Sequence, residues 1–280
     1  MSFRQPSATF FAIVAGGYVG LVATGMTGFA IGSGYVTQWS VAIGACVGIV
    51  TAVRSYTWDA PATVLIRTRV SHFLFGVPLV PFFASPFLTL FGRRGYETAV
   101  TAWLGELLVI ASAGVLFYLV TVNRHVASLR ERERVLAEWT ARPDTRYRRL
   151  LRGLGVSLGC VSIVGSFVLS LSFDIAINPF AGIGGAMIGQ AITTGRCQTY
   201  TLFESGLCVR RSKTVNYQFV PRGQLRSVDL TDDRLEIRRG LPWPLPIRCA
   251  TTTMARPTQV ADTLTAVLDP VRRTSGTRDA

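Results

Sequence analysis

Charge is missing from the beginning of this chain. Residues 5–53 contain no Asp, Glu, Lys or Arg, a run of 49 residues in a chain of 280. One crossing of a bilayer takes roughly 20 apolar residues. The run is therefore long enough for two crossings with a turn near Gly32-Ser33-Gly34, where glycine permits one. It is too long for a cleavable signal peptide, and further apolar segments follow it. We therefore expect a multi-pass membrane protein.

The whole chain has little charge and almost no lysine. Only 16% of its residues are charged and 49% are hydrophobic, whereas a soluble domain is about one quarter charged. Lys213 is the single lysine, so 28 of the 29 basic residues are Arg. The Arg excess fits either a GC-rich genome or selection for bidentate contacts with phosphate and carboxylate groups.

Motifs for catalysis and for metal binding are also missing. The sequence has no Walker loop, G-x-S-x-G elbow, H-E-x-x-H helix or Rossmann fingerprint. None of its five cysteines forms a C-x-x-C pair or lies near a histidine, which argues against zinc. His72 and His125 are interpreted as interfacial residues at the cytosolic side. We therefore expect no metal, no cofactor and no enzymatic activity.

The apolar segments predict an all-α bundle of six transmembrane helices within residues 1–195. Each segment is close to the length of one crossing. The predicted spans lie at about 8–31, 34–53, 70–92, 99–122, 153–173 and 175–194.

The distribution of Arg predicts the orientation of this bundle. With the N-terminus in the cytosol, the inner segments hold 13 basic residues and the outer loops hold two, Arg93 and Arg94. Cytosolic loops carry such an excess of Lys and Arg. We therefore expect a cell-membrane protein with both termini in the cytosol.

Pairs of glycines four residues apart recur in the predicted spans. Such pairs let helix backbones approach closely in lipid. They fit packing within the bundle, and the alternative is an interface of a homo-oligomer. The pairs are Gly16/Gly20, Gly28/Gly32, Gly44/Gly48, Gly155/Gly159 and Gly185/Gly189.

Residues 123–152 form a basic cytosolic segment. We expect its first part to continue the fourth span as a helix that ends at Pro143-Asp144, with Leu136 and Trp139 on its apolar face. Each basic residue near an anionic membrane contributes about 1 kcal/mol of attraction. An acidic protein partner is the alternative, and no basic-aromatic motif indicates nucleic acid. The residues predicted to contact headgroups or a partner here are Arg146, Arg148, Arg149 and Arg152.

From about residue 196 the pattern changes to short segments rich in β-forming residues. These are TYTLFES, LCVRRS, NYQFV, LRSVDL, RLEIRR and IRCAT, separated by turn residues. A helix with an apolar stripe follows from Pro257 to Leu268. We expect a small β-barrel or sandwich with a C-terminal helix over residues 196–270, and a disordered tail over 271–280.

The hairpin TYTLFESGLCVRRS, the segment QLRSVDLTDDRLEIRRG and the terminal helix resemble prokaryotic pleckstrin-homology-like domains attached to membrane spans. The resemblance covers roughly residues 197–270. It implies a cytosolic adaptor for proteins or membrane surfaces, without catalysis. The loop that carries basic residues in lipid-binding members is here the short, acidic Glu204-Ser205-Gly206. Contacts with headgroups or a partner are therefore assigned to Arg210, Arg211 and Lys213 on the next strand.

Glu106 is the one acidic residue well inside a predicted span. Intramembrane acids are costly and often functional, although Arg93 and Arg94 are close enough in sequence to pair with it. The sequence thus predicts a non-enzymatic membrane scaffold, sensor or regulatory adaptor. The alternative is a small transporter or channel that uses Glu106 and the proline-rich third span, and an intramembrane enzyme comes third.

Overall fold

The computed structural model describes residues 6–30, 36–68, 70, 74, 76, 80, 104–173, 180–212, 217–241 and 245–268. The chain divides into two compact units. The first comprises Met1–Ser128 and Leu158–Ala186, and the second comprises Leu129–Ser157 and Met187–Ala280.

Six helices precede the second strand in the described part of the chain. They are α1 (Ala8–Ala30), α2 (Gln38–Thr57), α3 (Pro61–Arg67), α4 (Leu104–Arg132), α5 (Thr145–Phe173) and α6 (Phe180–Thr193). Within α1, α2, α4 and α5 lie four stretches that are long and apolar enough to cross a membrane. Large apolar side chains on these helices are exposed, for example Ile49, Phe167 and Leu171. This exposure fits a lipid solvent, and the predicted long apolar helices are present as candidate membrane spans.

The six predicted spans are only partly matched. Most of the third, residues 70–92, and residues 174–179 of the sixth lie outside the described residues. The helix α6 has 14 residues, about 21 Å at 1.5 Å per residue. That is shorter than the roughly 30 Å hydrocarbon core of a bilayer. Four candidate spans are therefore observed in the described part, rather than six.

The helices α4 and α5 extend past their apolar segments into charged sequence. As predicted, α4 continues into the basic segment, to Arg132. The helix α5 begins at Thr145, and its first turn is capped by Asp144, whose Oδ2 accepts from the Tyr147 amide at 3.2 Å. The helical bonds are made by the backbone, so a helix ends at a capping or breaking residue rather than where apolar residues stop.

Glycines bring α1 and α2 together, as the small-residue pairs predict. Gly16 and Gly20 on α1 face Gly48 and Gly44 on α2. A Cβ added to Gly16 would lie 2.5 Å from the carbonyl oxygen of Gly48, and one added to Gly20 would lie 2.8 Å from that of Gly44. These two pairs serve packing within the chain.

In α6, the glycine that contacts a neighbouring helix is not one of the predicted pair. A Cβ on Gly184 would lie 2.5 Å from the carbonyl oxygen of Gly159 on α5, whereas Gly185 and Gly189 have no described atom within 4 Å of such a Cβ. The pair Gly185/Gly189 therefore makes no close contact with the described residues, because α6 presents its neighbouring face to α5. The homo-oligomer alternative for this pair stays a prediction.

Aromatic rings fill the core of the first unit. Tyr18 on α1 stacks on Phe117 of α4, with ring centroids 5.1 Å apart and planes 10° from parallel. Phe11 also contacts Phe117. The Tyr18 hydroxyl donates to the carbonyl oxygen of Leu74, which satisfies its polar end.

The second unit contains two antiparallel sheets and a closing helix. One sheet has the order β1-β2-β3-β4 and the other β5-β6-β7. The strands are β1 (Ala137–Ala141), β2 (Gln198–Leu202), β3 (Gly206–Arg211), β4 (Tyr217–Pro221), β5 (Leu225–Leu230), β6 (Arg234–Arg239) and β7 (Ile247–Ala250), and the helix is α7 (Pro257–Leu268). All six predicted β segments and the terminal helix are thus present.

The strand β1 corrects the prediction for the basic cytosolic segment. Residues 137–141 form a strand where a helix was expected, and Trp139 pairs with Tyr200 on β2. The two rings stack with centroids 5.3 Å apart. Leu136 and Trp139 also fit a helical spacing, but the alternation of Ala137, Trp139 and Ala141 with polar residues is the pattern that the sheet uses.

Residues 142–144 connect the two sheets. The Asp144 amide donates to the carbonyl oxygen of Arg248 at 3.1 Å, and the Ala250 amide donates to that of Arg142 at 2.9 Å. Both sheets and α7 bury one apolar core, whose fully enclosed members include Leu202, Leu207, Leu235, Ile237 and Leu264. The second unit therefore draws on residues from before α5 as well as after α6.

Candidate functional site

Two strands of the second unit end their inward-facing rows with arginine. On β3, Leu207 and Val209 face the core and Arg211 is the next residue on that face. On β6, Leu235 and Ile237 face the core and Arg239 follows. Side chains alternate between the faces of a strand, so these arginines stand where an apolar residue would continue the core.

Arg211 and Arg239 line a cleft of about 300 Å³ within the second unit. Its walls come from both sheets, from the first turns of α5 and from the end of α6. We define the arginine cleft by its charged and phenolic members, which are Tyr147, Tyr200, Arg211, Arg239 and Arg248. No Asp or Glu is among its described lining residues.

Arg248 and Arg239 of the cleft have different kinds of partner. Arg248 Nε lies 3.0 Å from Glu236 Oε2, and the same carboxylate is 3.5 Å from Arg238 and 3.9 Å from Arg234. Arg239 Nε donates to the carbonyl oxygen of Leu245 at 2.8 Å. Burial lowers the pKa of the Arg239 guanidinium, because the protein interior replaces part of its hydration. One carboxylate is shared among three guanidinium groups, so positive charge is in excess around Glu236.

The phenols of the cleft are fixed by aromatic contacts. The Tyr200 hydroxyl donates to Gln198 Oε1 at 3.0 Å, and the ring is stacked on Trp139. Burial raises the pKa of Tyr200 well above its usual value, so the phenol stays neutral near pH 7. The Arg248 guanidinium lies 5.5 Å from the centre of the Tyr147 ring. A cation at this distance is attracted to the ring face, which orients Arg248.

The predicted basic residues of α5 form a separate group. Arg146, Arg149 and Arg152 are exposed, and Arg148 is half-buried. Arg148 and Arg152 lie against Gly195, where a Cβ would be 2.9 Å from Arg152 Nη2. Gly195 closely follows the last residue of α6, and a helix C-terminus attracts cations. This pair stabilises a helix end and does not line the arginine cleft.

The predicted residues of β3 lie on opposite faces. Arg210 donates to the Tyr217 hydroxyl at 3.3 Å and lies 5.3 Å from the centre of that ring. Arg211 lines the arginine cleft. Lys213 lies outside the described residues. Arg239 and Arg248 were not among the predicted site residues, although the arginine at the third inward position of RLEIRR is a signal for the first of them.

Glu106 and His125 occupy different surroundings on α4. Glu106 is half-buried in the first turn of the helix as described. His125 is buried, and its Nδ1 is 3.1 Å from Thr63 Oγ1 on α3. The imidazole is therefore covered by protein on the side of α3, and the position of His125 at the membrane interface stays a prediction. Arg93, Arg94 and His72 lie outside the described residues, and the described part of the chain holds no group of three side chains suited to a metal ion.

Comparison with known proteins gave no match: no protein-family model, no curated protein and no solved structure is significantly similar to this chain.

Proposed function

We propose that this protein is an integral membrane adaptor or sensor without enzymatic activity. Its second unit, called the β domain below, operates in the cytosol. The observation that carries the proposal is the position of β1 in the chain. It lies between α4 and α5, which both contain candidate membrane spans, and it pairs along its whole length with β2.

The connections around β1 are short. Residues 133–136 join α4 to β1, and residues 142–144 join β1 to α5. Four extended residues reach about 14 Å at most, so a displacement of either helix end pulls on the sheet. A domain attached by one long linker would not respond in this way. The connectivity therefore suits a device that couples the state of the membrane helices to a cytosolic surface.

The architecture of the second unit supports the adaptor role. Antiparallel sheets of four and three strands with a C-terminal helix agree with the pleckstrin-homology-like fold expected from the sequence. Residues 195–280 carry 14 basic and 8 acidic residues. This surplus favours contact with anionic headgroups or with an acidic protein.

Topology reporters test the cytosolic placement. Fusions after residues 60, 95, 135 and 280 are expected to read inside, outside, inside and inside. Photo-crosslinkers at exposed positions of the β domain, such as Arg226, are then expected to yield discrete protein adducts in native membranes. A crosslinker at the lipid-facing Leu171 is the control. An external reading at 280 contradicts the proposal.

Transport is the second candidate function, and the half-buried Glu106 in a candidate span favours it. Glu106→Gln keeps the size of the side chain and removes its charge. If the folded variant loses an ion or solute flux that the parent shows in proteoliposomes, transport replaces the adaptor proposal. An unchanged variant counts against transport.

A further inference from the structure

The arginine cleft gathers positive charge at a place where sheet physics would put apolar side chains. Arg211 and Arg239 end the inward rows of two strands from different sheets. Arg248 adds a third guanidinium from β7. Cations that share a concave site repel one another unless an anion lies near them. Glu236 contacts Arg248 but does not line the cleft, and no Asp or Glu is among the described lining residues.

The carboxylate that contacts Arg248 is shared with two arginines that do not line the cleft. Glu236 contacts Arg248, but it also contacts Arg234 and Arg238 on its own strand. Arg239 binds a neutral acceptor through Nε, the carbonyl oxygen of Leu245. A partly desolvated guanidinium that faces a neutral acceptor gains more from an added anion than a hydrated one does.

The remaining lining matches a small phosphorylated molecule. Guanidinium groups bind phosphate oxygens in pairs of parallel hydrogen bonds. Gln190 and Gln218 offer amide donors, and Leu151, Met187 and Ile247 form an apolar wall. A volume of about 300 Å³ is at the lower end for small-molecule sites. It suits a phosphate with a few attached carbon atoms.

We propose that the arginine cleft is a binding site for a phosphate group, carried either by a soluble phosphorylated molecule or by a lipid headgroup. The lipid source deepens the proposed function and rests on it, because Tyr147 and Leu151 line the cleft from the first turns of α5, a helix with a candidate membrane span. The soluble source requires only the cleft.

Neighbouring residues on β6 provide a matched pair of variants. Arg239→Gln removes a cation from the inward row, whereas Arg238→Gln removes one from the opposite face, where 64% of the side chain is exposed. Both variants change the net charge equally, so general attraction to anions falls equally in the two. A weaker signal in Arg239→Gln than in Arg238→Gln therefore reports loss of the binding site.

Calorimetric titration of the full-length protein in neutral detergent with glycerol 1-phosphate tests the soluble source. Thermal unfolding in mixed vesicles of phosphatidylglycerol and phosphatidylcholine, compared with phosphatidylcholine alone, tests the lipid source. We expect the parent to give a signal in at least one of the two assays. In Arg239→Gln we expect the affinity for glycerol 1-phosphate to fall by about tenfold, or the change in thermal unfolding caused by phosphatidylglycerol to be lost. Arg238→Gln should behave like the parent.

The inference is overturned if neither probe gives a signal, or if both variants weaken the signal equally. If Arg239→Gln does not fold, Arg211→Gln at the end of the other inward row takes its place with the same expectation. The reporter fusions fail or succeed independently of this result. If the reporters place the β domain in the cytosol but no phosphate binds, only the cleft proposal is refuted. If glycerol 1-phosphate binds but the reporters place the β domain outside, only the adaptor proposal is refuted.

Discussion

Two cysteines of the second unit are buried among its strands. Cys208 on β3 and Cys249 on β7 are buried, whereas Cys160 on α5 is exposed. Burial raises the pKa of the Cys208 thiol to about 12 and that of the Cys249 thiol to about 11. A thiolate at either position would have little hydration, so the folded chain keeps both groups neutral.

These thiols predict a loss of stability at alkaline pH. Their folded pKa values exceed the usual value near 9. Their contribution to stability is therefore complete below about pH 9 and is lost as the pH rises towards the folded values. Thermal unfolding of the second unit between about pH 8 and about pH 11 measures this. We expect a shallower decline in a Cys208→Ala/Cys249→Ala variant than in the parent, and no change of slope in Cys160→Ala. Parallel slopes in all three would contradict the assignment.

At the scale of elements, the close packing of α1 against α2 depends on glycines, which have no side chain. Gly16, Gly20, Gly44 and Gly48 place two backbones in contact. In lipid, close packing of this kind replaces the hydrophobic effect as the source of helix association. A neighbouring glycine, Gly17, faces open space and shows that the effect belongs to one face of α1.

A leucine at position 16 is therefore expected to separate α1 from α2. Gly16→Leu should lower the free energy of unfolding by about 1–3 kcal/mol, the usual range for overpacking. Thermal loss of helical circular dichroism in detergent provides the measurement. Gly17→Leu introduces the same side chain on the open face and should unfold close to the parent. Equal losses in both variants would refute the close contact of the helices.

At the scale of the molecule, one strand makes the β domain discontinuous in sequence. β1 pairs with β2 although residues 142–197, which include α5 and α6, lie between them. Closing this long connection has an entropic cost that only the formed sheet offsets. Stability of the β domain and assembly of the neighbouring helices are therefore linked.

Truncation of Trp139 tests this arrangement. Trp139 is buried and stacked on Tyr200, so Trp139→Ala should destabilise the second unit by about 3–5 kcal/mol. Glu138→Ala alters the adjacent exposed side chain of the same strand and should stay within about 0.5 kcal/mol of the parent. Limited proteolysis of the full-length protein is expected to release fragments of residues 196–268 from the Trp139 variant first. Equal resistance of the two variants would exclude β1 from the sheet.

Strand segments and the terminal helix were predictable because their signals are local. The alternation in LCVRRS and RLEIRR and the stripe of Val260, Leu264 and Val267 each lie within a few residues. The segment with Trp139 carried a helical and a strand pattern at once, and only the partner strand decided between them. One of the three cleft arginines was predicted as a site residue, since Arg211 was assigned to contacts with headgroups or a partner, whereas Arg239 and Arg248 were not.

The sequence by itself determined the long apolar helices that are candidate membrane spans, the glycine contact of α1 with α2, and six of the seven strands. Each of these follows from apolar length or from a period along one segment. Tertiary structure alone decided that β1 joins the sheet, that Thr63 covers His125, and that Arg211, Arg239 and Arg248 share one cleft. Those outcomes depend on which distant segments meet. No local sequence pattern predicts which distant segments meet, since the interaction energy of two residues arises only when both are in contact.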